Sequence, residues 1–141
     1  MVLAIRRHDP EHLVTVGVIP WALTWPGFKP LFYSIEAGKN LDFVSVHFYP
    51  GAGKVEKALS ALAVYDIGKP LVIEEMFPLS CSTTELARFV EDSRPRADGW
   101  LGFYWGKTIE QYRQHVGSIA EGITLDWLEY FARKAPDMAR P

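Results

Sequence analysis

Four short runs of the chain, residues 12–18, 43–48, 70–75 and 100–105, are rich in β-branched and aromatic residues and bounded by turn formers. Each reads as a β-strand. Their starts lie 31, 27 and 30 residues apart, the size of one strand–helix unit. The segments between them carry a helical period. In 54–65 the apolar residues Val55, Ala58, Leu59 and Leu62 form one stripe. Ser82-Thr83-Thr84-Glu85 has the spacing of a capping box, and Leu86, Phe89 and Val90 continue an apolar face behind it. A last helix is predicted from about Thr124, with Leu125, Leu128, Phe131 and Ala132 as its buried face and Pro136 past its end. Residues 30–38 read as a helix broken by Gly38, and residues 2–7 as the tail of a helix stopped before Pro10.

Apolar strands alternating with helices predict an α/β fold, a parallel sheet covered by helices. No internal repeat beyond the unit spacing and no linker interrupts the pattern, so residues 1–141 read as a single unit. Four units are half of a (β/α)8 barrel, which takes eight of them over ~250 residues. Such a half would leave its outer strands, 12–18 and 100–105, with open apolar edges. Association of two copies, an upstream partner segment such as a missing N-terminal half, or rearrangement into an open sheet would cover them.

Composition narrows the function classes. Apolar residues make up 48% of the chain and charged residues 23%, values that exclude disorder and coiled coil for its bulk. The net charge is −2 with the basic residues scattered, which leaves no electrostatic footprint for nucleic acid. Cys81 is the one cysteine, so an internal disulfide and a multi-thiolate metal site are both excluded. No apolar run approaches the roughly 18 residues of a membrane span. Arg6 and Arg7 follow a very short apolar stretch, the wrong order for a secretory signal. As written, the chain reads as cytoplasmic; it would read as secreted if a parent N-terminus is missing. Aromatic residues reach 13%, and several of them sit at strand ends and in loops.

Some motifs fail on inspection. Gly51-Ala52-Gly53-Lys54 hints at a phosphate loop, but Phe48 stands where the pattern needs glycine and Val55 where it needs Ser or Thr. His8 and His12 have the spacing of a zinc helix, but Pro10 between them breaks that helix. No G-x-S-x-G elbow occurs. Cys81 reads as a free thiol in a loop.

The stronger signals lie at the C-terminal ends of the strands, the rim where a parallel barrel does its chemistry. In the second strand Ser45, His47 and Tyr49 share one face, and Val44, Val46 and Phe48 share the other. The third strand ends in Glu74-Glu75, two carboxylates after an apolar run. Strict alternation turns them to opposite faces, and Leu71, Ile73 and Glu75 share one, which makes Glu75 the inward candidate. Trp105 ends the fourth strand. It suits either core packing or stacking on the apolar face of a sugar. Trp21 and Trp25, in the loop after the first strand, admit the same two readings.

His47-Phe48-Tyr49, Ile73-Glu74-Glu75-Met76-Phe77 and Phe103-Tyr104-Trp105 occur in order on successive strand ends. This set resembles the second half of a family 5 glycoside hydrolase, the cellulase and β-mannanase family of retaining (β/α)8 enzymes. Residues 9–17 resemble the entry to the fifth strand of its mannanase-like members. The resemblance covers most of the chain and implies strands five to eight of that barrel. It implies that Glu75 is the nucleophile, that Tyr49 holds it, that His47 lines the sugar site and that Trp105 stacks on the sugar. Met76 and Phe77 depart from the Phe-Gly that follows the family nucleophile. The family's acid/base glutamate lies in an Asn-Glu pair on the fourth strand, and nothing before His12 matches it. Retaining chemistry needs two carboxyls about 5–5.5 Å apart. Glu74 is expected to point away from Glu75, and Glu11 lies at the wrong end of its strand.

The resemblance thus implies an oligo- or polysaccharide substrate, no metal and no organic cofactor. The expected activity is hydrolysis of β-linked saccharides with retention, this chain supplying the nucleophile half of the site. A non-catalytic carbohydrate-binding or assembly half-barrel is the alternative. An open, doubly wound domain binding a phosphorylated metabolite ranks last, for want of a glycine-rich phosphate loop.

Overall fold

A computed structural model describes residues 1–19 and 34–138. The four strands are β1 (Gly17–Val18), β2 (Val44–His47), β3 (Leu71–Met76) and β4 (Gly99–Gly102), paired in parallel in the order β1-β2-β3-β4. The helices are α1 (Val2–Arg6), α2 (Ile35–Gly38), α3 (Val55–Leu62), α4 (Thr83–Ser93), α5 (Ile109–Gln114) and α6 (Ile119–Met138). The α/β expectation and the parallel sheet hold.

The core follows from two periods meeting on one face of the sheet. Val44, Val46 and Phe48 of the second strand run, and Leu71, Ile73 and Met76 of β3, are all buried. Register pairs Val44 with Leu71, Val46 with Ile73 and Ile73 with Trp100, so these residues lie side by side. Against them pack Val55, Ala58 and Leu62 of α3 and Leu86, Phe89 and Val90 of α4, the stripes the helical period predicted. The Phe48 ring stacks on Phe89 at 5.6 Å and meets Tyr65 edge-on at 6.3 Å. Ser82 and Glu85 form the expected capping box, which starts α4 where the sequence placed it.

α6 covers the same face at the β4 side. Trp127, 1% exposed, stacks on Tyr130 and meets Phe131 at a tilt of 56°. A Cβ on Gly102 would stand 3.4 Å from the Trp127 indole nitrogen, so the missing side chain lets the helix close on the strand. Among the described residues the helices that join the core cover one face. The other face carries Gly17, Ser45, His47, Val72 and the glutamates of β3.

Three expectations shift. The first strand is paired only at Gly17–Val18, because Val14 uses its N–H on the Asp42 carboxylate (2.5 Å) and accepts from the Asp42 N–H (2.9 Å) instead of joining a ladder. The fourth strand ends at Gly102, and Tyr104 turns to hydrogen-bond Tyr112 of α5 at 2.8 Å. The last helix begins at Ile119, not near Thr124, and takes Pro136 inside its final turn. Its start is set by Ser118, whose hydroxyl accepts from the Glu121 N–H (3.2 Å) while the Glu121 carboxylate accepts from the Gly117 N–H (2.6 Å). Trp127 and Tyr130 are its buried residues, whereas Leu125, Leu128 and Phe131 are half-buried and Ala132 is exposed.

Candidate active site

A polar cluster forms at the C-terminal ends of β2 and β3, on the face that carries none of the described core helices (the bare face in that sense). His47 is its centre. Imidazole Nε2 lies 3.0 Å from Glu74 Oε1, and Nδ1 lies 3.3 Å from Glu75 Oε2. The Tyr49 hydroxyl donates to Glu75 Oε1. One carboxylate therefore accepts from a phenol at one oxygen and faces an imidazole nitrogen at the other. The side chains of His47, Glu74 and Glu75 are 25%, 22% and 25% exposed, accessible yet largely shielded from water.

Burial and the neighbouring Glu75 charge push the Tyr49 phenol far above its ordinary range. The hydroxyl thus keeps its proton and remains a donor to the carboxylate at any pH a cell meets.

The arrangement of the two glutamates corrects the sequence expectation. Strict alternation would put Glu75 on the face of Leu71 and Ile73 and turn Glu74 away. The register shows otherwise. Val46 pairs with Ile73, yet His47 pairs with Glu75, so β3 spends two residues where β2 spends one. Against β4 the step from Ile73 to Met76 matches only Trp100 to Gly102. The extra residue therefore belongs to β3: it is a β-bulge at Glu74-Glu75. Ile73 and Met76 both stay in the core, completely buried. Glu74 reaches the bare face by ordinary alternation, and the bulge brings Glu75 to the same side. The face of Leu71 and Ile73 is the helix side, so Glu75 stands with His47 on the opposite face and not on the one that alternation predicted.

Gly17 completes the floor. A Cβ there would fall 1.8 Å from Glu74 Oε1 and 3.2 Å from His47 Nε2. Ser45, completely buried, lies on the same face beneath His47 and accepts from or donates to the Thr15 hydroxyl at 3.2 Å.

Trp105 stands apart from this cluster, 99% exposed beyond the end of β4. Core packing, one of its two readings, is thereby removed. Trp21 and Trp25 lie outside the described residues. At Gly51-Ala52-Gly53-Lys54, the Gly53 N–H that an anion would use already donates to Glu85 Oε1 at 2.7 Å, so the loop is closed to phosphate by a carboxylate. His12 binds Asp9 at 2.9 Å. Burial raises the pKa of the Cys81 thiol, which keeps it a poor nucleophile. Among the described residues no group of three or more His, Cys, Asp or Glu side chains is placed to hold a metal ion.

Sequence reasoning missed Glu74 and Gly17. The signal for Glu74 was the three-residue gap between the apolar Ile73 and Met76, which a regular strand buried on one face does not show. For Gly17, a glycine inside an apolar strand run is a known sign of close backbone approach. No family model matches the chain, and neither the curated proteins nor the solved structures yield a match.

Proposed function

We propose that the chain is the nucleophile half of a retaining β-glycoside hydrolase, built as strands five to eight of a (β/α)8 barrel and acting on cellulose- or mannan-type saccharides. The observation that carries this reading is the Glu75 carboxylate, gripped by Tyr49 and His47 at the C-terminal end of a parallel sheet. A nucleophilic carboxylate must be ionised, aimed and partly shielded from water. The Tyr49 hydroxyl donates to one oxygen and His47 stands at the other, which fixes the direction of the carboxylate. In the reaction Glu75 attacks the anomeric carbon and forms a glycosyl-enzyme ester as the leaving oxygen departs; water then cleaves that ester. Tyr49 and His47 hold the attacking oxygens. Glu74 is engaged at the far nitrogen of His47, so the proton donor to the leaving oxygen is assigned to a group outside this cluster.

Incubation with 2-fluoro-glycosides bearing a dinitrophenolate leaving group, followed by intact-mass spectrometry, tests the reading. That leaving group needs no proton, so the nucleophile is probed without the acid. A mass gain mapping to Glu75, absent in Glu75→Gln, is the expected result. Labelling of another residue, or none with gluco and manno reagents, counts against it.

The fully exposed Trp105 favours a second reading, a sugar-binding half-barrel without bond cleavage. Saccharide binding with no label supports that reading. The half-barrel element itself is checked by light scattering, where a stable 16.0 kDa monomer is the adverse result.

A further inference from the structure

We propose that Glu74 is a positioning residue: seated against Gly17, its carboxylate fixes the His47 ring and so holds Nδ1 toward Glu75. The catalytic consequence rests on the reading of Glu75 as the nucleophile; the positioning itself does not.

The argument begins with the bulge. Without it, one glutamate would face the helices and the other would stand alone beside His47. With it, both carboxylates reach the ring, one at each nitrogen, at 3.0 Å and 3.3 Å. A carboxylate only accepts, so the bond to Glu74 needs a proton on Nε2, and a bond to Glu75 needs one on Nδ1. The bond to Glu74 sets the plane of the imidazole, as a carboxylate behind a functional histidine does in other settings. Glu74 is itself held in place by what is missing beneath it. The site a Cβ on Gly17 would occupy lies 1.8 Å from Glu74 Oε1 and 2.9 Å from its Cδ. The carboxylate thus sits in the volume left by an absent side chain. It is the mobile end of a flexible side chain, so an alanine at position 17 displaces it with little cost to the backbone.

Long-range nitrogen–proton NMR of the His47 ring in the full chain reads the positioning directly. In the wild type the Nε2 proton, engaged by Glu74, should exchange slowly with water. In Glu74→Ala that proton should exchange fast, and Glu74→Gln should restore slow exchange, because the amide oxygen can still accept. Gly17→Ala should loosen the ring as Glu74→Ala does, yet change nothing further in the Glu74→Ala background. Circular dichroism confirms that each variant is folded, and the Gln rescue separates positioning from loss of structure. An unchanged ring signature in Glu74→Ala overturns the proposal. So does an equal effect of Gly17→Ala in both backgrounds, since alanine would then act on the ring and not through Glu74.

Labelling supplies the second arm. Glu75 should still be the labelled residue in Glu74→Ala, at a rate lower by roughly tenfold, the usual scale for losing one hydrogen bond to a charged group. Labelling at the wild-type rate in Glu74→Ala overturns the link to reactivity. Absence of label in the wild type removes the nucleophile reading and leaves the NMR result to decide the role of Glu74.

Discussion

The two faces of the β-sheet follow different rules. On the helix-covered face, burial alone decides: Val44, Val46, Phe48, Leu71, Ile73 and Met76 are apolar and packed. On the bare face, His47, Tyr49, Glu74 and Glu75 bind one another. One irregularity serves both. The β3 bulge keeps Met76 in the core one residue later than alternation allows, and the same extra residue sets two carboxylates beside one imidazole. The difference teaches that the packed face tolerates the bulge because only its apolar sequence matters, whereas the bare face depends on the bulge for its geometry.

Breaking the packed face should have the largest effect. Phe48→Ala removes a ring that stacks on Phe89 and meets Tyr65, with no exposure to water. The expected loss is about 3–5 kcal/mol of unfolding free energy by chemical denaturation. Such a cost is a large fraction of a small domain's stability. A loss below about 1 kcal/mol would mean that the face is not packed as described.

A smaller effect belongs to the edge of that face, where helices start. Ser82→Ala deletes the hydroxyl that accepts from the Glu85 N–H at 3.2 Å. About 1 kcal/mol should be lost. The Glu85 carboxylate also binds the Ser82 N–H (3.0 Å) and the Gly53 N–H, so Glu85→Ala should cost more than Ser82→Ala. Equal costs would show that the bond to Gly53 contributes nothing.

Legibility divides along the same line. The packed face could be read from the chain because a period of two in β2 and of 3.6 in α3 and α4 leaves a visible trace. Helix starts were legible where the cap preceded an obvious apolar stripe, as at Ser82. They were missed at Ser118 and at Thr108, where the same capping chemistry precedes mixed residues; Thr108 accepts from the Gln111 N–H and starts α5. On the bare face the residues His47, Tyr49 and Glu75 were identifiable one by one. Their arrangement was not, because a bulge changes the direction of side chains without requiring a residue of special type. Gly17 shows the same limit from the other side: its role lies in the 27-residue-distant pair of His47 and Glu74 that closes over it, which no local window contains.

The pH dependence of stability sharpens the comparison, since each face holds a tyrosine whose ionisation the fold opposes. Burial, aided by the Glu91 charge, pushes Tyr130 on the packed side up to about 12. Burial and Glu75 push Tyr49 on the bare face up as well. A folded-state value above the unfolded one, near 10 for a phenol, means that the neutral form is favoured by folding. That contribution is whole below pH 10 and fades as pH rises toward 12. Unfolding free energy should therefore fall between pH 10 and 12, and Tyr130→Phe should flatten the fall. A Tyr130→Phe variant with the same alkaline slope as the wild type would remove Tyr130 from the account.

The smallest effect on stability should come from Trp105→Ala. A buried tryptophan is among the most costly residues to truncate, but this one is 99% exposed, so water already surrounds its ring and the fold gains nothing from it. The change should stay within about 0.5 kcal/mol by denaturation. A loss as large as that of Phe48→Ala would place the ring against a surface it does not touch here. The comparison turns on function, because an aromatic plane kept in solvent lowers solubility without adding packing. If it serves as a sugar platform, Trp105→Ala should weaken oligosaccharide binding, measured by tryptophan-independent calorimetry, while leaving Glu75 labelling by a small activated glycoside unchanged. Unchanged binding would confine saccharide recognition to His47 and its carboxylates. Loss of labelling would mean instead that Trp105 reaches the reacting sugar itself.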